Sequence, residues 1–108
     1  MVFNQQNIDP MYKDIISYEL AEGTSKEQLI HIAKQIVNDW MKKQVGFIKW
    51  EIHTNSDDSY TDIVYWQSKQ DAKAAEKEMV HIPNAAAWYA CYKEGSISSK
   101  HLTSIAEF

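Results

Sequence analysis

The chain has 108 residues, 44% hydrophobic and 24% charged, which suffices for one buried core, is too short for two, and excludes disordered and low-complexity classes. Fifteen acidic against eleven basic residues give a net charge of -4, and every cation is Lys, so the basic face of a nucleic-acid binder and the guanidinium fork that grips phosphate are both missing. Cys91 is the single cysteine, which excludes an internal disulfide and a cysteine-based zinc cluster.

The stretch through Pro10 has neither a basic run nor an apolar leader core, and no apolar run approaches the ~20 residues of a membrane span, so no membrane association and a cytoplasmic location are expected. Residues 1–12 read as a flexible tail and 13–108 as one domain. From Asp14 to Ala21, Ile16, Tyr18 and Leu20 alternate with Ser17 and Glu19, the pattern of a strand. Thr24-Ser25-Lys26-Glu27 offers a capping box, and Leu29, Ile32, Ala33, Ile36, Val37 and Trp40 then recur at helical spacing to about Lys43. Gly46 stops that helix, and Phe47 to His53 alternates as a second strand.

The Asn55 to Ser59 cluster predicts a turn, making a hairpin with a third strand over Thr61–Gln67. Ser68 with Asp71 starts a second helix that carries Ala72, Ala75, Met79 and Val80 on one face until Pro83 breaks it. Ala85 to Tyr92 resumes helical structure, Gly95 closes it, and a last strand covers about Ser99 to Glu107. The order βαββαβ, with right-handed crossovers, predicts a ferredoxin-like α+β sandwich: a four-stranded antiparallel sheet with two helices on one face. Ile16, Tyr18, Leu20, Ile48, Trp50, Ile52, Ile63 and Tyr65 are assigned to the helix side. Ser17, Glu19, Lys49, Glu51, His53, Asp62, Val64, Trp66, Thr103 and Ile105 fall to the open side. That open side is too aromatic for bulk solvent, so a second copy is expected to cover it and make a homodimer.

Val64-Tyr65-Trp66-Gln67, the helix start Ser68-Lys69-Gln70-Asp71-Ala72, and Gly46-Phe47 leading into the second strand resemble the dimeric α/β-barrel superfamily that includes the antibiotic-biosynthesis monooxygenases. The resemblance spans most of residues 13–107. It implies a dimer and, among the characterised members, oxygenases of aromatic polyketides and quinols that work without a cofactor. The haem-degrading branch uses an Asn on the first strand, a Trp on the second helix and a His beyond it. This chain has Ser17 and Tyr18, Ala74 and Ala75, and Ala85-Ala86-Ala87-Trp88 in those places, so no haem is expected.

An oxygenase of this kind needs an apolar pocket with a few polar groups. Tyr18, Trp50, Tyr65 and Trp88 are the expected ligand-binding walls, although core packing explains the same aromatics. His81, just before Pro83, is the expected catalytic acid or base at a pocket opening around His81–Asn84, although a surface His at a helix end explains the same position. Glu51 and His53 share a strand face but are too few to hold a metal, so none is expected. The function expected is small-molecule binding, with cofactor-free monooxygenation of an aromatic or quinol-like compound as the reaction. The alternative is a non-catalytic ligand-binding or regulatory module of the same fold.

Overall fold

A computed structural model describes residues 10–108; the expected flexible tail lies outside the described residues through residue 9. Strand β1 (Tyr12–Tyr18) is followed by α1 (Lys26–Asp39), a 3-10 turn (Met41–Lys43), and the hairpin β2 (Phe47–Thr54) and β3 (Tyr60–Trp66). Then come α2 (Lys69–Lys77), a 3-10 turn (Met79–His81), α3 (Ala85–Tyr89) and β4 (Ser98–Thr103). The sheet order is β2-β3-β1-β4 and every pairing is antiparallel, as the ferredoxin-like reading requires. Among the described residues no helix is long and apolar enough to cross a membrane.

Local chemistry sets the helix ends. Ser25 accepts a hydrogen bond from the Gln28 N–H at 3.1 Å, and the Gln28 side chain accepts from the Ser25 N–H at 2.8 Å, so the capping box closes with Gln28 in place of Glu27. Ser68 accepts from the Asp71 N–H at 3.1 Å to start α2. The chain turns at Gly46 with φ +82, and a Cβ there would overlap the Asp71 carboxylate, so the loop into β2 and the first turn of α2 approach closely only because this position is glycine. Ahead of Pro83, Ile82 is extended (φ -64, ψ 122), and Asn84 takes the left-handed conformation from which α3 begins.

Register decides which residues share a face. Directly opposed residues of antiparallel strands point the same way, so the helix side carries the row His101, Asp14, Val64, Trp50 and, beside it, Ser99, Ile16, Asp62, Ile52. The open side carries Leu102, Lys13, Tyr65, Lys49 in one row and Lys100, Ile15, Ile63, Glu51 in the next. The expected faces of β3 are therefore exchanged: Asp62, Val64 and Trp66 lie under the helices, Trp66 only 3% exposed, while Ile63 and Tyr65 lie on the open side. Apolar residues at both parities of Ile63-Val64-Tyr65-Trp66 make the alternation uninformative there, and pairing with β2 settles it. Thr103, opposite Tyr12, likewise faces the helices. Ile48 sits at a register shift between Phe47 and Lys49 and is exposed, leaving Phe47 to pack inward.

Strand ends follow from the same ladder. β4 stops at Thr103 because its partner β1 begins at Tyr12, so Ile105 lies beyond the sheet and is exposed. β1 ends at Tyr18; Leu20 leaves the sheet and bridges Tyr92.

Candidate functional site

A cavity of about 400 Å³ lies between the helix side of the sheet and the helical layer. Its size follows from the sequence of α2, whose two buried residues are Ala72 and Ala75: a helix that presents methyl groups to a sheet of Trp50, Val64 and Trp66 leaves space between them. Trp40 and Met41, where α1 passes into its 3-10 turn, close one side, and Trp88 and Tyr92 close another. The lining residues that are also exposed, among them Lys73, Glu76, Tyr89, Ser99 and His101, place the rim between α2, α3 and β4. The opening is therefore at the β4 edge and not at the His81–Asn84 break.

Asp62 projects from the middle of β3 into this apolar enclosure and is 3% exposed. The Tyr18 hydroxyl donates to its Oδ1 at 2.8 Å and the Trp50 indole N–H to its Oδ2 at 3.0 Å. Burial disfavours the charged carboxylate and raises its pKa to about 6, an effect that the two donors only partly offset. In return, burial first and then the Asp62 charge push the Tyr18 and Tyr92 hydroxyls above the usual phenol range. The Trp66 indole N–H, and that of Trp88 beside Tyr92, are buried with no acceptor in hydrogen-bonding geometry among the described residues. Buried donors of this kind are uncommon, and both indoles line the cavity. The arrangement is one weakly acidic carboxyl within largely aromatic walls, suited to a flat, partly polar ligand.

The expected wall residues divide. Trp50 and Trp88 line the cavity and meet edge to face, centroids 5.8 Å apart. Tyr18 stands behind Asp62 and reaches the cavity only through it. Tyr65 is excluded from the wall because it lies on the opposite side of the sheet, where its hydroxyl donates to Glu51 at 2.9 Å. His81 is exposed on the turn after α2 and is not part of the lining. Conversely, Asp62, Trp66 and the rim pair His101 and Asp14 belong to the cavity without having been singled out as site residues. The signal for Asp62 in the sequence is a lone acid in a strand that continues Ile63-Val64-Tyr65-Trp66, and only the pairing with β2 says that it faces the helices.

On the open side, Glu51 accepts from His53 at 3.1 Å and from Tyr65, and pairs with Lys49 at 3.2 Å. These contacts, His53 foremost, hold its carboxyl down at about 2. Among the described residues no cluster of three His, Cys, Asp or Glu side chains is placed to hold a metal ion.

No protein-family profile and no curated protein matches the sequence. Solved structures match its shape. The ActVA-Orf6 monooxygenase of Streptomyces coelicolor, determined with nanaomycin D, superposes with a TM-score of 0.70 at 14% identity over 92% of this chain and 91% of its own. SnoaB, a cofactor-independent oxygenase of Streptomyces nogalater, gives 0.65 at 16% identity over 92% and 95%. A candidate antibiotic biosynthesis monooxygenase of Chloroflexus aurantiacus gives 0.66 at 14% over 91% and 96%. Identities this low speak to architecture and not to activity. The chain has a ferredoxin-like α+β fold, the architecture it shares with these antibiotic-biosynthesis monooxygenase-like structures.

Proposed function

We propose that the protein is a cofactor-independent monooxygenase of a planar phenolic or quinol-like aromatic compound, and that Asp62 is the base that starts the reaction. The observation that carries this reading is a buried carboxyl, with its pKa raised to about 6, inside an aromatic cavity of about 400 Å³. Above that pH Asp62 is ionised yet more basic than an ordinary Asp, which suits it to take the proton of a phenol. A naphthol-type ring illustrates the balance. Loss of the phenol proton yields an electron-rich anion, which transfers electrons to dioxygen and forms a ring C–O bond. Cleavage of the O–O bond then leaves a quinone carbonyl. The distal oxygen departs as water, carrying the phenol proton returned by Asp62 and the ring C–H proton. Two of the structures that share this fold are named as oxygenases, one as independent of cofactor.

The assembly we propose is a homodimer through the open side of the sheet, where Ile15, Ile63 and Leu102 lie among Lys13, Lys49, Glu51 and Tyr65. A non-catalytic binding module is the second reading, favoured by the fact that both Asp62 oxygens already hold hydrogen bonds. Oxygen uptake with a panel of hydroxynaphthalenes separates the two. Uptake that Asp62→Asn abolishes supports the oxygenase, whereas thermal stabilisation by the same compounds without uptake supports the binder.

A further inference from the structure

At the rim, His101 of β4 and Asp14 of β1 are direct register partners on the helix side, and His101 Nδ1 lies 2.6 Å from Asp14 Oδ1. The Tyr12 ring stacks on the imidazole with an interplanar angle of 11° and centroids 5.8 Å apart. The imidazole is thus held by a carboxylate on one nitrogen and by an aromatic face. In the tautomer that donates Nδ1–H to Asp14, Nε2 is the acceptor of the ring, and the carboxylate offsets the charge of a proton taken there. His101 and Asp14 both line the cavity. Asp14 is opposite Val64, and Asp62 is opposite Ile16, so the two acids are diagonal neighbours across β1 and β3, roughly 8 Å apart from ~6.6 Å along the strands and ~5 Å between them.

The two stations differ in access to water. Asp62 is enclosed and both its oxygens are engaged, whereas the His101 side chain is 51% exposed. We infer that His101, positioned by Asp14, is a second proton acceptor of the cavity, taking the proton of a ligand hydroxyl at the rim and exchanging it with solvent. This deepens the oxygenase reading and rests on it for the identity of the ligand as a phenol. The acceptor is Nε2, the proton moves from ligand oxygen to that nitrogen, and no electrons change hands. Lys73 and Glu76 of α2 line the same rim with opposite charges, and Tyr12 lies on the inner side of the imidazole. The Asp14 carboxylate is thus the group bonded directly to the ring.

The test is a titration of bound 4-nitrophenol, whose phenolate is yellow and whose neutral form is colourless, in the full-length protein. The wild type is expected to ionise the bound phenol at lower pH than His101→Gln, with the midpoint of the variant at least one unit higher, a tenfold loss of phenolate at a given pH. Asp14→Asn should move the midpoint in the same direction by less. A purely structural role for Asp14 in holding β4 would leave it unmoved. Asp62→Asn should keep the dependence on His101. Identical midpoints in the wild type and His101→Gln, both folded and both binding, would overturn the inference and leave the oxygenase reading standing. Failure of 4-nitrophenol to bind either protein would overturn the phenol-binding cavity itself, and this inference with it.

Discussion

The Trp50 indole nitrogen donates to the Asp62 carboxylate at 3.0 Å across the β2–β3 ladder, from the row of Val64 to the adjoining row of Ile52. One bond therefore ties the largest aromatic of β2 to the single buried acid of β3, and it fixes the carboxylate toward the helices. Burial, which this bond only partly offsets, makes Asp62 sensitive to pH.

Because its folded pKa of about 6 exceeds the ordinary 3.8, the native state binds the Asp62 proton more tightly than the unfolded state does. The stabilising contribution is fully present below the unfolded value and is lost as pH rises through about 6. The loss is on the order of 3 kcal/mol at most, from ~1.4 kcal/mol per pKa unit. Asp62→Asn removes this cost, since an amide accepts from Trp50 through its oxygen and donates to the Tyr18 oxygen through its nitrogen. Urea unfolding should find the variant at least as stable as the wild type at pH 8. Near pH 4 the advantage should vanish. A variant clearly less stable at pH 8 would show that Asp62 is not strained by its burial.

The two faces of β3 predict opposite outcomes for neighbouring aromatics. Trp66→Ala truncates a 3% exposed side chain and should cost roughly 3 to 5 kcal/mol in chemical denaturation. Tyr65→Ala, on the open side, should cost much less in the monomer and should instead shift the protein toward lower mass in sedimentation at low micromolar concentration. Equal losses of folding stability for both would mean that the register of β2 and β3 is not as described.

Those residues also show what the sequence reading reached. Strict alternation in β2, the Ser25 and Ser68 caps, the Gly46 stop and the Pro83 break carry strong local signals, and the βαββαβ order followed from them. Face assignment failed in β3 because Ile63, Val64, Tyr65 and Trp66 are all apolar, and only the pairing of Trp50 with Val64 distinguishes them. The same ambiguity decides the site, since the opposite parity would put Tyr65 in the cavity and Asp62 outside it. His101 was not legible at all: Ser98-Ser99-Lys100-His101 is polar throughout, and its place beside Asp14 exists only through the long-range β1–β4 register. His81 stands beside a helix break, yet it is exposed while Met79 of the same turn is the residue that reaches the cavity.

Glycine positions give a third check. Gly23 and Gly46 both have positive φ, +84 and +82, but a Cβ at Gly23 meets nothing, whereas one at Gly46 overlaps the Asp71 carboxylate. Gly23→Ala should cost about 1 kcal/mol for its backbone conformation alone. Gly46→Ala should cost more, roughly 2 to 3 kcal/mol, and Asp71→Ala in the same chain should recover part of the difference. Equal costs at the two glycines, measured by urea unfolding, would contradict the close approach of α2 to the loop before β2.

The base assigned to the reaction has its own pH signature. If ionised Asp62 takes the phenol proton, the rate of oxygen uptake per bound substrate should rise with pH through about 6 and level off above it. Stability falls over the same interval, so the two curves run in opposite directions from one titration. A rate that is flat between pH 5 and 8 would remove Asp62 from the chemistry.

The most direct test of the central claim is dioxygen consumption by the purified protein with 1-naphthol and dihydroxynaphthalenes at pH 8, compared between the wild type and Asp62→Asn. If Asp62 is the base, the wild type takes up one dioxygen per quinone formed and the variant, still folded, is slower by at least about a hundredfold, the scale of a lost general base. Uptake by Asp62→Asn at the wild-type rate would contradict it.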